Sequence, residues 1–367
     1  MPEIRAVEAI LFTYALAPGR ELLWAGGTIS ERASVLVRIA DDARRVGWGE
    51  ISEVYLLPKI YVELVNGRVA GALVGRDPSD IEGIHHDLQV LLVSLGRGGV
   101  SSAVVSSVDL ALHNLRAELL PAPVELPVYA SVGFHPDVAR MCAECREALA
   151  AGFRNLKIRG GFSVDEDLKR VRAARECIGP AAGLALELSQ PYARRPYSFD
   201  EVLRLAQSAE EHRLLWLEEP FAADDLGSYR RLKEKTSVPL AAGENLYTEE
   251  EFRRFAPALD VLQPDIARMG GITSLARIAQ YSTRIAFHQF GTSVALATAA
   301  RVASTLPNFY MLEMDLLPHP LRDRIFPGGL TCRDGRLLLP PFDFAALADV
   351  ASPPGSPDPY PQGGPCP

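Results

Sequence analysis

Apolar and polar positions follow two periods along this chain, and the texture changes near residue 120. In the first part, Ser34–Ala40 alternates apolar and polar side chains, the two-residue period of a strand with one buried face. Gly47–Glu50, Gly-Trp-Gly-Glu, reads as a turn leading into the next extended piece. From Ser101 to Leu120 the apolar positions Val104, Val108, Leu112 and Leu115 recur at helical spacing, which predicts an amphipathic helix. Pro121–Pro127 then interrupts the pattern and reads as a linker.

Between residues 127 and 330 short apolar strands alternate regularly with helical stretches. The strands are Asn155–Arg159, Leu184–Ser189, Leu215–Glu218, Leu240–Gly243, Val261–Gln263, Ile285–His288 and Met311–Glu313. Helical stretches between them include Asp165–Cys177, Asp200–His212, Ser228–Lys235 and Thr273–Tyr281. Repeated strand–helix units of this length imply parallel strands with crossover helices, and seven or eight of them fit a (β/α) barrel better than an open sheet. The tail Ala351–Pro367 is rich in proline and glycine and is expected to be disordered.

The composition narrows the function without naming it. The 367 residues carry 46 Asp+Glu against 38 Lys+Arg, a net charge of −8, and 48% are hydrophobic. That is an ordinary globular make-up, and an acidic balance without basic blocks disfavours nucleic acid. No apolar run approaches the roughly 18–20 residues of a membrane span. Met1–Arg5 has no basic start leading into an apolar stretch, so no signal peptide is evident and a cytoplasmic location is expected. Five cysteines, an odd number, do not suggest a disulfide framework. Cys142 and Cys145 form a C-x-x-C inside a helical pattern, with no second pair to complete a zinc site, and read as two thiols on one helix.

Candidate chemistry lies at the strand ends, where a barrel of this kind carries its active site. In Leu184–Ser189 the alternation turns Glu187 and Ser189 into the barrel and the leucines toward the helices. The next two strands end at Glu218 and Glu244. Three carboxylates on successive strand ends repel unless a cation lies between them, and a hard divalent ion, Mg²⁺ by default, suits oxygen ligands. One strand earlier, Lys157 and Arg159 share a face, which suits an anionic substrate. Later strands add Asp265, His288 and Glu313. A histidine after an apolar strand, with an aspartate one strand back, has the form of an oriented general acid or base. His85, His86, His113, His135, His212 and His319 read as core or surface residues.

In this order the residues resemble the enolase superfamily, specifically its mandelate racemase subgroup. The resemblance spans nearly the whole chain: Gly47–Glu50, Ser107–His113, Leu217–Pro220, Gly243–Asn245, Gln263–Gly271 and Leu312–Glu313. It implies an α/β fold, a modified TIM barrel (β/α)7β over residues 127–330. An α+β capping domain over residues 1–122 would be completed by residues 331–350. It implies Mg²⁺ held by Glu187, Glu218 and Glu244, a dyad of Asp265 and His288, and Glu313 supporting the enolate oxygen as a protonated donor. Asp265 disfavours the muconate-lactonizing branch, which carries lysine there. Three positions depart from the family pattern: Glu187 for the usual Asp, Ser189 for Asn, and Arg159 for the second lysine of Lys-x-Lys. Arginine is a poor proton acceptor.

The expected activity is therefore abstraction of the proton α to a carboxylate, foremost dehydration of an acid sugar to a 2-keto-3-deoxy acid. A racemase or epimerase of a 2-hydroxy acid, and a non-catalytic relative, are the alternatives. The partner is a small-molecule carboxylate, and a homo-oligomer is expected from the family. Substrate contacts are expected from Ser189 and from a lid at Pro18–Gly27, with Arg20, Glu21 and Trp24, while Glu53–Leu57 is a second candidate segment.

Overall fold

A computed structural model of the chain describes residues 2–19, 21–24, 27–52, 57–116, 124–317, 319–326, 328–340 and 347. Arg20, the Trp24 side chain, residues 53–56, the first part of the expected linker (121–123) and the tail lie outside what is described.

The N-terminal part is built on an antiparallel sheet in the order β1 (Ile4–Ala15), β4 (Glu31–Asp41), β5 (Val46–Ile51). A small hairpin, β2 (Leu22–Trp24) with β3 (Gly27–Ile29), occupies the expected lid. The helices α1 (Lys59–Glu63), α2 (Ala70–Leu73), α3 (Ile81–Leu91) and α4 (Val100–Leu115) follow. Val35, Val37 and Ile39 on β4 pack with Val65, Ile84, Leu88, Val104 and Val108 in this domain's own core. The expected turn at Gly47–Glu50 is instead the middle of β5. Its glycines serve close approach: a Cβ on Gly47 would lie 1.9 Å from the Ala111 carbonyl oxygen, and one on Gly49 1.8 Å from that of Ser107. Because neither obstacle is a flexible side-chain end, Gly49→Ala is expected to cost about 2 kcal/mol or more, measurable as a shift in the urea midpoint.

The same packing explains why α4 is not amphipathic. It lies between sheet and barrel, and among Val100–Leu115 nearly every residue is buried. Two of its buried serines satisfy their hydroxyls within the helix, Ser106 Oγ donating to the Ser102 carbonyl at 2.8 Å and Ser107 Oγ to that of Val104 at 2.8 Å, while Ser102 Oγ donates across the seam to the Arg268 carbonyl at 2.5 Å.

The barrel begins within the expected linker, with β6 (Val124–Val132). It continues through α5 (Val138–Ala150), β7 (Asn155–Arg159), α6 (Val164–Ile178), β8 (Gly183–Glu187), α7 (Phe199–Ala209), β9 (Leu217–Glu218), α8 (Leu226–Lys233) and β10 (Leu240–Ala242). The last units are α9 (Glu249–Phe255), β11 (Val261–Leu262), α10 (Gly271–Ile278), β12 (Ile285–Phe287), α11 (Ser293–Ala303) and β13 (Phe309–Asp315). Eight parallel strands close where β13 pairs with β6, the expected (β/α)7β barrel.

After a short α12 (Pro320–Ile325), β14 (Thr331–Arg333) and β15 (Arg336–Leu339) form a hairpin. β15 pairs antiparallel with the start of β6, where the entering strand offers an open edge; of the segment 331–350 expected to return to the cap, residues 341–346 and 348–350 lie outside the described residues.

Two cap acids dock the domains by accepting from the N-termini of barrel helices, where unpaired N–H groups gather. Glu50 accepts from the Thr292 hydroxyl (2.6 Å) and the Ala295 amide (2.9 Å) at α11. Asp109 accepts from the Ile272 and Thr273 amides at α10, at 2.6 and 3.2 Å.

Candidate active site

The barrel interior is layered. Tyr129, Ala185, Trp216, Ala241, Val261, Ala286 and Met311, with Lys157 beside them, fill it at one level, small residues beside large. Toward the C-terminal ends of the strands the inward side chains turn charged: Arg159, Glu187, Glu218, Glu244, Asp265, His288 and Glu313, all buried. This follows from the strand alternation, since Leu184, Leu186 and Leu188 pack outward in the main core while Ala185 faces the interior layer.

Glu187, Glu218 and Glu244 each bring a carboxylate oxygen within 4.8 Å of the others, and among the described residues no other group of His, Cys, Asp or Glu converges so. An all-carboxylate donor set of this size fits a hard divalent cation. The charge balance also fits: five buried carboxylates face the two permanent cations Lys157 and Arg159, a negative surplus in a dry site.

Each carboxylate is held by neighbours. Glu187 accepts from the Ser189 hydroxyl at 2.7 Å, and it pairs with Lys157 Nζ at 3.0 Å and with Arg159. Glu218 accepts from the Trp216 indole at 2.6 Å and the Gln263 amide at 2.7 Å, and pairs with Lys157. Burial, reinforced by Glu187, Glu313 and Glu244, pushes the Glu218 carboxyl up to about 7 against the pull of Lys157. Although burial opposes it, the charges of Arg159 and Lys157 hold Glu187 well below the usual carboxylate range. Burial likewise opposes the charge of Lys157, but Glu187, Glu218 and Glu313 outweigh it and keep the ammonium protonated.

His288 Nδ1 lies 2.9 Å from Asp265 Oδ2, and the other Asp265 oxygen accepts from the Ala267 amide at 2.8 Å. This fixes the ring with Nε2 toward the cluster, 3.3 Å from Glu244 and 3.8 Å from Glu313. Across the site, Arg159 Nη2 donates to Ser131 Oγ at 2.9 Å, and its guanidinium lies 4.5 Å from the ring centre of Phe134. Phe134 and Phe290 join Leu16 and Leu22 in an apolar roof at the cap side.

Comparison with known proteins places this geometry. Residues 140–342 match the model of the enolase C-terminal domain-like family, and residues 10–126 that of the mandelate racemase / muconate lactonizing enzyme N-terminal domain. The chain belongs to the mandelate racemase / muconate lactonizing enzyme family of the enolase superfamily. A D-galactarolactone cycloisomerase of Agrobacterium fabrum is 30% identical, over 84% of this chain and 87% of that protein. An arabinonate dehydratase of Saccharolobus solfataricus is 27% identical, over 73% of this chain and 75% of its own. Among solved structures, an enolase superfamily member from Polaromonas sp. JS666 superposes with a TM-score of 0.84 at 26% identity, covering 95% of this chain and 97% of its own. A racemase from Streptomyces coelicolor A3(2) with bound magnesium reaches 0.81 at 25% identity, covering 95% and 99%.

Glu313 accepts from Tyr129 OH and the Gln289 amide on one oxygen, each at 3.3 Å. Burial raises its carboxyl, and the charges of Lys157, His288 and Arg159 outweigh that and lower it.

Several supports were not singled out from sequence. Trp216 and Gln263 obey the same alternation as Glu218 and were legible in principle. Tyr129 and Ser131 were missed because no barrel strand was expected before Asn155, whereas β6 runs from Val124 to Val132. Glu219 gave no signal: it is buried at φ 45° and accepts from the Gly243 amide at 3.2 Å, holding the loop that carries Glu244. The other histidines lie elsewhere, as expected of core or surface residues; His319, for example, packs on Tyr14 at the seam between cap and barrel.

Proposed function

We propose that this protein is a Mg²⁺-dependent hydro-lyase that dehydrates an acid sugar to a 2-keto-3-deoxy acid. The observation that carries the reading is an asymmetry across the reaction centre. On one side His288 is oriented by Asp265 with Nε2 directed inward. On the other side stands Arg159, a permanent cation already engaged with Glu187, Glu313 and Ser131. One competent base suffices for elimination, whereas inversion at the α-carbon needs a second on the opposite face. Dehydratases and cycloisomerases among the relatives agree with chemistry of this kind.

In this reading Glu187, Glu218 and Glu244 hold Mg²⁺, which when bound polarises the substrate carboxylate and raises the acidity of the neighbouring C–H. Lys157 faces the substrate carboxylate, and Arg159 steadies the enediolate oxygen with a charge that needs no rearrangement. His288 Nε2 takes the C2 proton while Nδ1–H stays with Asp265. The C3 hydroxyl then leaves with that proton from Nε2 as water, and the resulting enol becomes the 2-keto acid. Ser189 acts through Glu187, to which it is already bonded.

Incubation with Mg²⁺ and a panel of mono- and diacid sugars, assayed for 2-keto acid, tests the reading. A product-forming sugar supports it; epimerisation of a panel member without keto acid would transfer the assignment to a racemase. A pH dependence follows from Glu218. Its carboxyl, at about 7, must release its proton to ligate a cation. Mn²⁺ affinity is therefore expected to fall as pH drops below about 7 and to level off above it, readable by calorimetric titration between pH 5.5 and 8.5.

A further inference from the structure

The first two turns of α6 carry two polar side chains outside the reacting cluster, Asp167 and Arg170, both fully buried. Asp167 accepts from the Gly161 and Phe162 amides at 3.0 and 3.3 Å and from the Tyr197 hydroxyl at 2.8 Å, which fixes the loop leaving β7. Arg170 directs its guanidinium at backbone carbonyls. Nε donates to that of Arg159 at 2.8 Å, Nη2 to that of Gly133 at 2.8 Å, and Nη1 to those of His135 and Pro136 at 2.9 and 3.1 Å. Buried carbonyls at strand ends need donors, and arginine alone offers several in one planar fork. One side chain thus ties the last residue of β7 to the loop that leaves β6.

That loop also carries what the Arg159 side chain touches. Arg159 Nη2 donates to Ser131 Oγ at 2.9 Å, and its guanidinium lies 4.5 Å from the ring centre of Phe134. Gly133 turns the chain between these two residues at φ 78°. Its amide donates to Glu144 on α5 at 2.9 Å, and its carbonyl is the one that Arg170 Nη2 holds. Backbone, hydroxyl partner and stacking ring of Arg159 therefore share a single anchor.

We propose that Arg170 is a positioning residue of the reaction, setting the Arg159 guanidinium by clamping its backbone together with the loop of Ser131 and Phe134. The role rests on the reading of Arg159 as the group that steadies the enediolate oxygen. A fixed charge stabilises a developing oxyanion only while its aim is kept, and a misplacement on the order of 1 Å costs roughly 100-fold in rate. None of the four carbonyls that Arg170 holds belongs to Glu187, Glu218 or Glu244, so metal binding is left alone.

The test is a double-mutant cycle on the Mg²⁺-loaded enzyme, with a sugar that it consumes, combining Arg170→Lys with Arg159→Met. Lysine keeps the buried cation but loses the planar fork. Arg170→Gln, which keeps a planar pair of donors without the charge, is the second variant, and cooperative thermal unfolding identifies the folded ones. Either variant is expected to lower kcat roughly 10- to 100-fold while KM and Mn²⁺ affinity stay within about threefold. In the Arg159→Met background the same change should lower kcat by less than about threefold. An equal fall in both backgrounds, or Mn²⁺ affinity falling in step with kcat, is the mark of a merely structural residue and would overturn the proposal. So would folded Arg170 variants that turn over within about twofold of wild type. Full turnover by Arg159→Met alone would instead remove the role of Arg159 itself, and the proposal with it.

Discussion

His288→Asn is expected to lower kcat by about three orders of magnitude, the scale of a lost positioned acid–base group. The substitution removes the one ring nitrogen that faces the carboxylate cluster, 3.3 Å from Glu244, and leaves an amide that cannot carry a proton through the reaction. Because His288 is not among the three converging glutamates, Mn²⁺ affinity should stay within a few-fold of wild type. Steady-state kinetics on a sugar found in the panel, with a parallel metal titration, read both quantities. Activity within tenfold of wild type would remove His288 from the proton-transfer role. Asp265→Asn should act in the same direction through the ring's orientation, shifting the pH profile as well as the rate.

Glu244→Gln is expected to weaken Mg²⁺ or Mn²⁺ binding at least ~100-fold and to abolish turnover at millimolar metal. Losing an outer-shell partner costs roughly 10- to 100-fold in metal affinity, so replacing a charged ligand should cost at least the upper end of that range. Glu244 is a sound position to probe, because the loop bearing it is held from below by Glu219 through the Gly243 amide, so the substitution leaves that support in place. Chelator-treated wild type should likewise lose activity and regain it on Mg²⁺ addition. Turnover that is indifferent to chelator would contradict the metal reading.

How much of this was legible follows from where period and packing coincide. The barrel strands from β7 onward and their inward residues followed from alternation, because each strand has one face on the helices and one in the interior. Lys157, Arg159, Glu187, Glu218, Asp265 and His288 accordingly meet where the sequence pointed. The first barrel strand was missed because Pro127 and its neighbours look like punctuation; Pro127 opposes Arg336 in the antiparallel pairing with β15. The glycines of β5 read as a turn because sequence carries no sign of a helix backbone arriving within reach of their Cα atoms. Glu219 shows the same limit: its role rests on a contact between neighbouring strand ends that no local pattern encodes.

The proposed dehydration rests on one group, His288, carrying the proton on one face of the substrate. The most direct measurement is to run the Mg²⁺-loaded enzyme in D₂O with an acid sugar that it consumes, and to locate deuterium by NMR in both product and residual substrate. The expected result is a 2-keto acid with deuterium at C3 and residual substrate of unchanged configuration at C2. Deuterium at C2 in both epimers, without keto acid, would require a second base opposite His288 and would contradict it.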